Sequence, residues 1–195
     1  PDYLNAYFYP DATAKGWLNP DVPKPITQRI TIDGKLDPLW TTAIESKEAL
    51  NISIGPTYIS NAYMAVDSNG LILTFIPWQG IVLGSIEIAV YTTTPRRSLS
   101  PYSPGYNVYP RYGNKDLGIG LAYEVLIKPS ENTAYVSAAD GTGDFFQLYK
   151  LSIGIDEVVE IKIPWTYIGL VPGDYSFLTI AVYLGDELVE TATRL

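Results

Sequence analysis

Histidine and cysteine are both absent from the 195 residues. Without imidazole there is no Ser-His-Asp triad and no histidine general base. Without thiolate there is no disulfide and no thiol nucleophile, and with neither residue a zinc site loses its usual ligands. Missing disulfides do not fix the compartment, because a secreted domain with a sufficient apolar core needs none. Methionine occurs once and glutamine three times. That bias against chemically labile side chains resembles the composition of thermophile proteins. Positive charge is sparse: 13 Lys and Arg stand against 21 Asp and Glu, for a net charge of -8, and the only adjacent basic pair is Arg96-Arg97. A nucleic-acid footprint needs clustered basic residues, so that partner is excluded. No P-loop or dinucleotide fingerprint occurs, and the glycine-tinged stretch from Gly113 to Gly120 leads into a strand instead of a helix. No run reaches the ~18 apolar residues of a membrane span, and no basic stretch followed by an apolar one opens the chain.

What is present is β-branched and aromatic. Hydrophobic residues make up 47%, enough for a sizeable core, and the 15 Pro and 16 Gly punctuate short apolar runs. That pattern reads as many strands joined by turns. Strands are expected at Arg29–Asp33, Ala49–Ile54, Tyr58–Val66, Leu71–Ile76, Ser85–Thr93, Gly118–Lys128, Thr133–Ala138, Asp144–Leu151, Glu157–Ile163, Tyr175–Tyr183 and Glu187–Thr193. Turn signals at Asp67-Ser68-Asn69-Gly70, Asp140-Gly141-Thr142-Gly143, Pro172-Gly173-Asp174 and Gly185-Asp186 separate them. Helix should be scarce, with one turn at Pro164–Leu170. The spacing implies an all-β fold, a two-sheet antiparallel β-sandwich over residues 29–195. Residues 94–115 form one long loop holding Tyr102, Tyr106, Tyr109 and Tyr112, and loops of this length are usually functional or disordered.

Residues 1–28 read differently, as an extended N-terminal arm and a Pro-rich linker. Tyr3 to Tyr9 alternates, with Leu4, Ala6 and Phe8 on one face and Tyr3, Asn5, Tyr7 and Tyr9 on the other. Pro10, Pro20, Pro23 and Pro25 then hold the chain extended. A strand with no hairpin mate nearby pairs far away, in its own sheet or in another molecule's.

An ordered set of motifs resembles the family-nine carbohydrate-binding modules and their DOMON-like relatives. Ile30-Thr31-Ile32-Asp33-Gly34-Lys35-Leu36-Asp37-Pro38-Leu39-Trp40 with Ala43 is similar to the family's opening. Ala62 to Phe75 is similar to its next hairpin, Glu87-Ile88-Ala89-Val90-Tyr91 to its central strand, and Glu160-Ile161-Lys162-Ile163-Pro164-Trp165 to its late E-x-x-I-P-W segment. Such modules end archaeal and bacterial amylopullulanases and glucodextranases and also occur in surface proteins. The resemblance implies a jelly-roll or DOMON-like sandwich, an extracellular or cell-surface location and a polysaccharide ligand. In the family an aromatic near a strand end can form part of the sugar platform, and Trp78 occupies such a position. Trp40 and Trp165 read as core.

Paired carboxylates are the one catalytic device left, with Glu87, Glu124 and Glu160 as candidates within strands. Each also reads as an ordinary strand residue, and no enzyme activity is expected. Calcium takes oxygen ligands in loose geometry, and Asp140 and Asp144 in the Asp140-Gly-Thr-Gly-Asp144 turn are the first candidates for it. Asp33, Asp37, Asp156 and Glu157 are further ones. Asn51-Ile52-Ser53 is the only N-glycosylation sequon. Two functions follow as expectations. One is a non-catalytic extracellular subunit that polymerises with copies of itself by donating the N-terminal strand, as in donor-strand complementation. The other is a carbohydrate-binding module of a polysaccharide-degrading enzyme.

Overall fold

Apolar runs of two kinds build the sheets, and the difference between them reports what lies on each face. The computed structural model describes residues 25–93, 105–171 and 176–193. The arm with Leu4, Ala6 and Phe8, the first part of the long loop with Tyr102, and the Pro172-Gly173-Asp174 turn lie outside the described residues. Among the described residues a single helix, α1 (Leu39–Glu45), precedes eleven strands: β1 (Ala49–Ser53), β2 (Ile59–Val66), β3 (Gly70–Pro77), β4 (Glu87–Thr92), β5 (Tyr123–Lys128), β6 (Thr133–Ala139), β7 (Phe145–Ser152), β8 (Gly154–Ile155), β9 (Val159–Pro164), β10 (Leu178–Leu184) and β11 (Glu187–Thr193). They form two antiparallel sheets, a five-stranded one ordered β1-β2-β3-β9-β8 and a six-stranded one ordered β11-β10-β4-β5-β6-β7. The fold is a two-sheet antiparallel β-sandwich. No helix among the described residues is long and apolar enough to cross a membrane.

Between the sheets, alternate residues of the central strands make the core: Leu71, Leu73 and Phe75 of β3 meet Ile88 and Val90 of β4, Val125 and Ile127 of β5, and Ile180 and Val182 of β10. These strands are apolar at the intervening positions as well, because both outer faces are covered. The outer face of the five-stranded sheet, with Ala49, Ala65 and Ile72, lies under Trp40 and Ala43 of α1 and under Ile26 and Ile30. Outside the six-stranded sheet, Ala89, Tyr91, Leu126, Ala181 and Tyr183 lie under Leu117 and Leu121, with Tyr112 packed alongside. The tyrosines of the long loop therefore divide: the Tyr112 ring stands edge-on to Tyr183 at 5.4 Å, whereas Tyr109 is exposed.

Four expectations are corrected. Arg29–Asp33 is not a strand; Ile30 is buried over the sheet instead of pairing in it, and the Asp33 amide goes to a side chain, Glu160. Helix α1 replaces what read as loop. Asp37 Oδ1 accepts from the Leu39 amide at 2.9 Å, Pro38 stands at the helix N-cap, and Trp40, Ala43 and Ile44 share the face turned to the sheet. The Gly118–Lys128 run enters the ladder only at Tyr123; before it, Leu121 makes an isolated bridge with Asn107. Trp165 is half-buried at the start of the short helical turn Trp165–Ile168, because its Nε1 must reach the Asp67 carbonyl at 3.0 Å. Trp40, by contrast, is fully buried.

Trp40→Ala should cost about 3–5 kcal/mol, the range for truncating a buried aromatic, whereas Trp78→Ala, at an exposed ring, should cost under about 1 kcal/mol. Urea unfolding of both variants, with unchanged slope, measures the contrast. Equal losses would mean that the helix-covered face is not packed as described.

Candidate functional site

Three carboxylates are taken out of water, and each closes a loop. Glu160 lies on β9 at an outward position, since Val159 and Ile161 point into the core. Its Oε2 accepts from the amides of Asp33 and Gly34, both at 3.0 Å, and its Oε1 accepts from the Thr74 hydroxyl at 3.1 Å. Gly34 has φ +84, and a Cβ there would meet the Ile155 backbone at 2.4 Å, so glycine is required on both counts. The Asp-Gly opening and the E-x-x-I-P-W segment are thus one contact. A second contact joins that segment to the β2–β3 hairpin. The Lys162 ammonium bonds Asp67, the Asp67 carbonyl takes the Trp165 indole N–H, and the Trp165 amide donates to Asn69 O at 3.1 Å. Burial pushes the Asp67 carboxyl up, but Lys162 and the Asn69 and Gly70 amides outweigh it and hold the group below its ordinary value.

Glu124 sits outward on β5, fully buried beneath the long loop. Arg111 grips its Oε1 through Nε at 2.8 Å and Nη2 at 2.7 Å, and the Tyr91 hydroxyl donates to Oε2 at 2.9 Å. The Tyr91 and Tyr183 hydroxyls are 3.0 Å apart. The Arg111 guanidinium also lies over the Phe145 ring at 5.6 Å. Burial pushes the Glu124 carboxyl up despite Arg111, and pushes the Tyr183 phenol up to about 12. Glu190, on β11, accepts from the amides of Thr57 at 2.7 Å, Tyr58 at 2.9 Å and Ile59 at 3.0 Å, tying one sheet to the other. Sequence reading missed Glu190 and Arg111. The available signal was a charge in the inward register, because Glu190 pairs with Val182 of the core.

The three proposed carboxylate candidates are not gathered in one place. Glu124 and Glu160 lie on the outer faces of opposite sheets. Glu87 lies near Lys128, which bonds it at 3.2 Å, while Glu124 pairs with Tyr91. Four positions along β4 separate them, about 13 Å of backbone at the strand rise, yet Glu87 is near enough to add to the rise of the Glu124 carboxyl, and each is already paired with a cation, Lys128 for Glu87 and Arg111 for Glu124.

The Asp140 turn is organised from within. Asp140 Oδ1 accepts from the Thr142 and Asp144 amides at 2.7 and 3.2 Å, and Oδ2 accepts from the Thr142 hydroxyl at 2.7 Å. Those bonds, the Thr142 hydroxyl first, hold its carboxyl below the ordinary value. Buried Asn107 braces the turn, accepting from the Gly141 and Gly143 amides and donating to Asp144 O. Among the described residues no group of three or more acidic side chains is gathered for a metal.

Trp78 follows β3, as its flanking Pro77 and Gln79-Gly80 implied. Its Nε1 donates to Gly55 O at 2.8 Å and its amide to Tyr58 O at 2.9 Å, leaving the residue 46% exposed. The indole is therefore fixed in direction and presents part of its ring to solvent. Asn51 is exposed on β1, where its Oδ1 accepts from Asn61 Nδ2 at 2.7 Å. No protein-family model, curated protein or solved structure matches the chain.

Glu160→Ala should strand the Asp33 and Gly34 amides, at about 1–3 kcal/mol each. Glu160→Gln keeps an acceptor for both and should stay within about 1 kcal/mol of the native protein. Burial raises the Glu160 carboxyl above its ordinary 4.5 in the folded state. The stabilisation from its protonated form is therefore complete below that value and is lost as pH rises through the folded pKa. Chemical denaturation across that pH range should show a weaker pH dependence for Glu160→Gln; an unchanged dependence would remove Glu160 as its source.

Proposed function

We propose that the chain is a non-catalytic, extracellular or cell-surface structural subunit that polymerises into a filament, tubule or layer by donating its N-terminal strand to a neighbour. The observation that carries this reading is the distribution of exposed apolar side chains. Phe146, Leu148 and Tyr149 all lie exposed on one strand, β7, at the edge of the six-stranded sheet. A long apolar edge is an aggregation hazard that folded proteins normally blunt, so its presence supports use as an interface. The buried carboxylates, by contrast, are occupied with holding loops. Leu4, Ala6 and Phe8 supply the complementary apolar row in the sequence.

A second reading, a carbohydrate-binding module, is favoured by Trp78 alone. A fixed, half-exposed indole is the element a sugar ring stacks on. Calcium at Asp140 and Asp144 fits either reading, as a stabiliser of the β6–β7 turn.

Electron microscopy of the full chain should show polymers, and deletion of residues 1–12 should leave a folded monomer by sedimentation and circular dichroism. A truncated chain that still polymerises, or one that unfolds, would overturn the donated-strand reading. Retention of monomer on immobilised polysaccharide, lost in Trp78→Ala, would favour the second reading instead. If calcium binds the folded chain, millimolar calcium should raise Tm and chelator reverse it, by mass action. A Tm indifferent to both would discard the metal.

A further inference from the structure

The two sheets are unequal, and the mismatch falls at β7. The five-stranded sheet ends in β8, two residues long, while the six-stranded sheet ends in β7, eight residues long. Residues paired across a ladder share a face. Phe146 pairs with Ala138 and Tyr149 with Val136, and both partners belong to the inter-sheet core. Phe146 and Tyr149 therefore point inward, yet they are 43% and 40% exposed. Tyr149 is partly covered by Tyr167 of the Trp165–Ile168 turn, whose ring stacks on it at 4.0 Å. On its outer side β7 has no strand partner among the described residues.

We infer that β7 of one copy is the acceptor for residues 3–9 of a second copy, seated so that Leu4, Ala6 and Phe8 continue the inward row of Phe146 and Tyr149. This deepens the assembly reading and rests on it. The lengths agree, seven donor residues against eight acceptor residues. The faces agree as well: apolar Leu4, Ala6 and Phe8 join the apolar row, and Tyr3, Asn5, Tyr7 and Tyr9 fall on the side of Gln147 and Lys150. Lys150 is the single charge on β7. The other edges fit less well: β11 carries Glu187 and Glu190, and β1 and β8 are five and two residues long. Two β7 strands pairing with each other would bring together two ladder irregularities, since the register shifts between Val136 and Ser137 and leaves Leu148 unpaired.

The tether is long enough to reach a neighbour. Ile26 is bonded to Val66 O at 2.8 Å and packs on the outer face of the five-stranded sheet, whereas β7 edges the other sheet. Residues 10–25, which include four prolines, could span up to about 55 Å. A donor leaving one surface for a different surface of the next copy makes a head-to-tail contact, which propagates instead of closing.

The chain has no cysteine, so engineered disulfides report contacts without background. Full-length Ala6→Cys protein should be mixed, under oxidation, with size-tagged Phe146→Cys, Tyr149→Cys or Thr191→Cys protein, the last on β11. Circular dichroism melts verify that each is folded. A mixed disulfide dimer with Phe146→Cys or Tyr149→Cys, above the Thr191→Cys background, is the expected result. Polymers whose arm links to β11 and not to β7 would overturn the acceptor and leave the assembly reading standing. If Ala6→Cys/Phe146→Cys closes within one chain and forms no mixed dimer, the arm belongs to its own sheet and the inference falls. Phe146→Cys chains that link to each other after deletion of residues 1–12 would make a second β7 the occupant, which also overturns it. Protein that stays monomeric, uncrosslinked and without polymers at every concentration would remove the assembly reading and the acceptor together.

Discussion

The carboxylate of Glu160 joins the start of the described chain to the centre of one sheet. Among the described residues it is held by two amides and a hydroxyl and by no cation. A buried carboxylate is costly unless its oxygens are satisfied. Here the satisfaction is supplied by a segment that is not part of any sheet, so covering the sheet and closing the turn are one event. Ile26, Ile30 and α1 can pack on Ala49, Ala65 and Ile72 only if the Asp33-Gly34 corner is fixed. Glu124 with Arg111, and Glu190 with the Thr57–Ile59 amides, repeat the device on the other sheet and between the sheets.

A chain without disulfides needs every sheet face covered or used. Both central strand sets are apolar on their outer sides and are roofed by irregular chain, which explains why β3 and β10 show almost continuous burial instead of alternation. The exception is β7, whose side chains are exposed along most of its length. The same unequal sheets that leave Phe146 partly exposed also leave β7 without an outer partner among the described residues, and the proposed assembly starts from that mismatch.

Most strands were legible because alternation and turn residues are local properties of the chain. The Asp67-Ser68-Asn69-Gly70 and Gly185-Asp186 turns stand where glycine and short polar side chains require them. Two of the errors lie on either side of one corner. Ile30-Thr31-Ile32 alternates like a strand, and Leu39-Trp40-Thr41-Thr42 is rich in residues that favour strands. Neither pairs in a sheet, and the corner between them is fixed by an acceptor 126 residues away, at Glu160. Among the candidate site residues, the exposure of Trp78 was readable from its flanking Pro77 and Gln79-Gly80, while the placement of Glu160 on the opposite sheet from Glu87 and Glu124 was not.

Composition alone determined that imidazole and thiolate chemistry are absent, and periodicity determined that the chain forms strands, because both depend on residue identity and near neighbours. Only tertiary structure decided which sheet each strand joins, that Glu124, Glu160 and Glu190 are consumed as acceptors, and that β7 is an edge strand among the described residues. Those outcomes depend on how two sheets of unequal width overlap, a property of distant pairings that no local stretch of sequence carries.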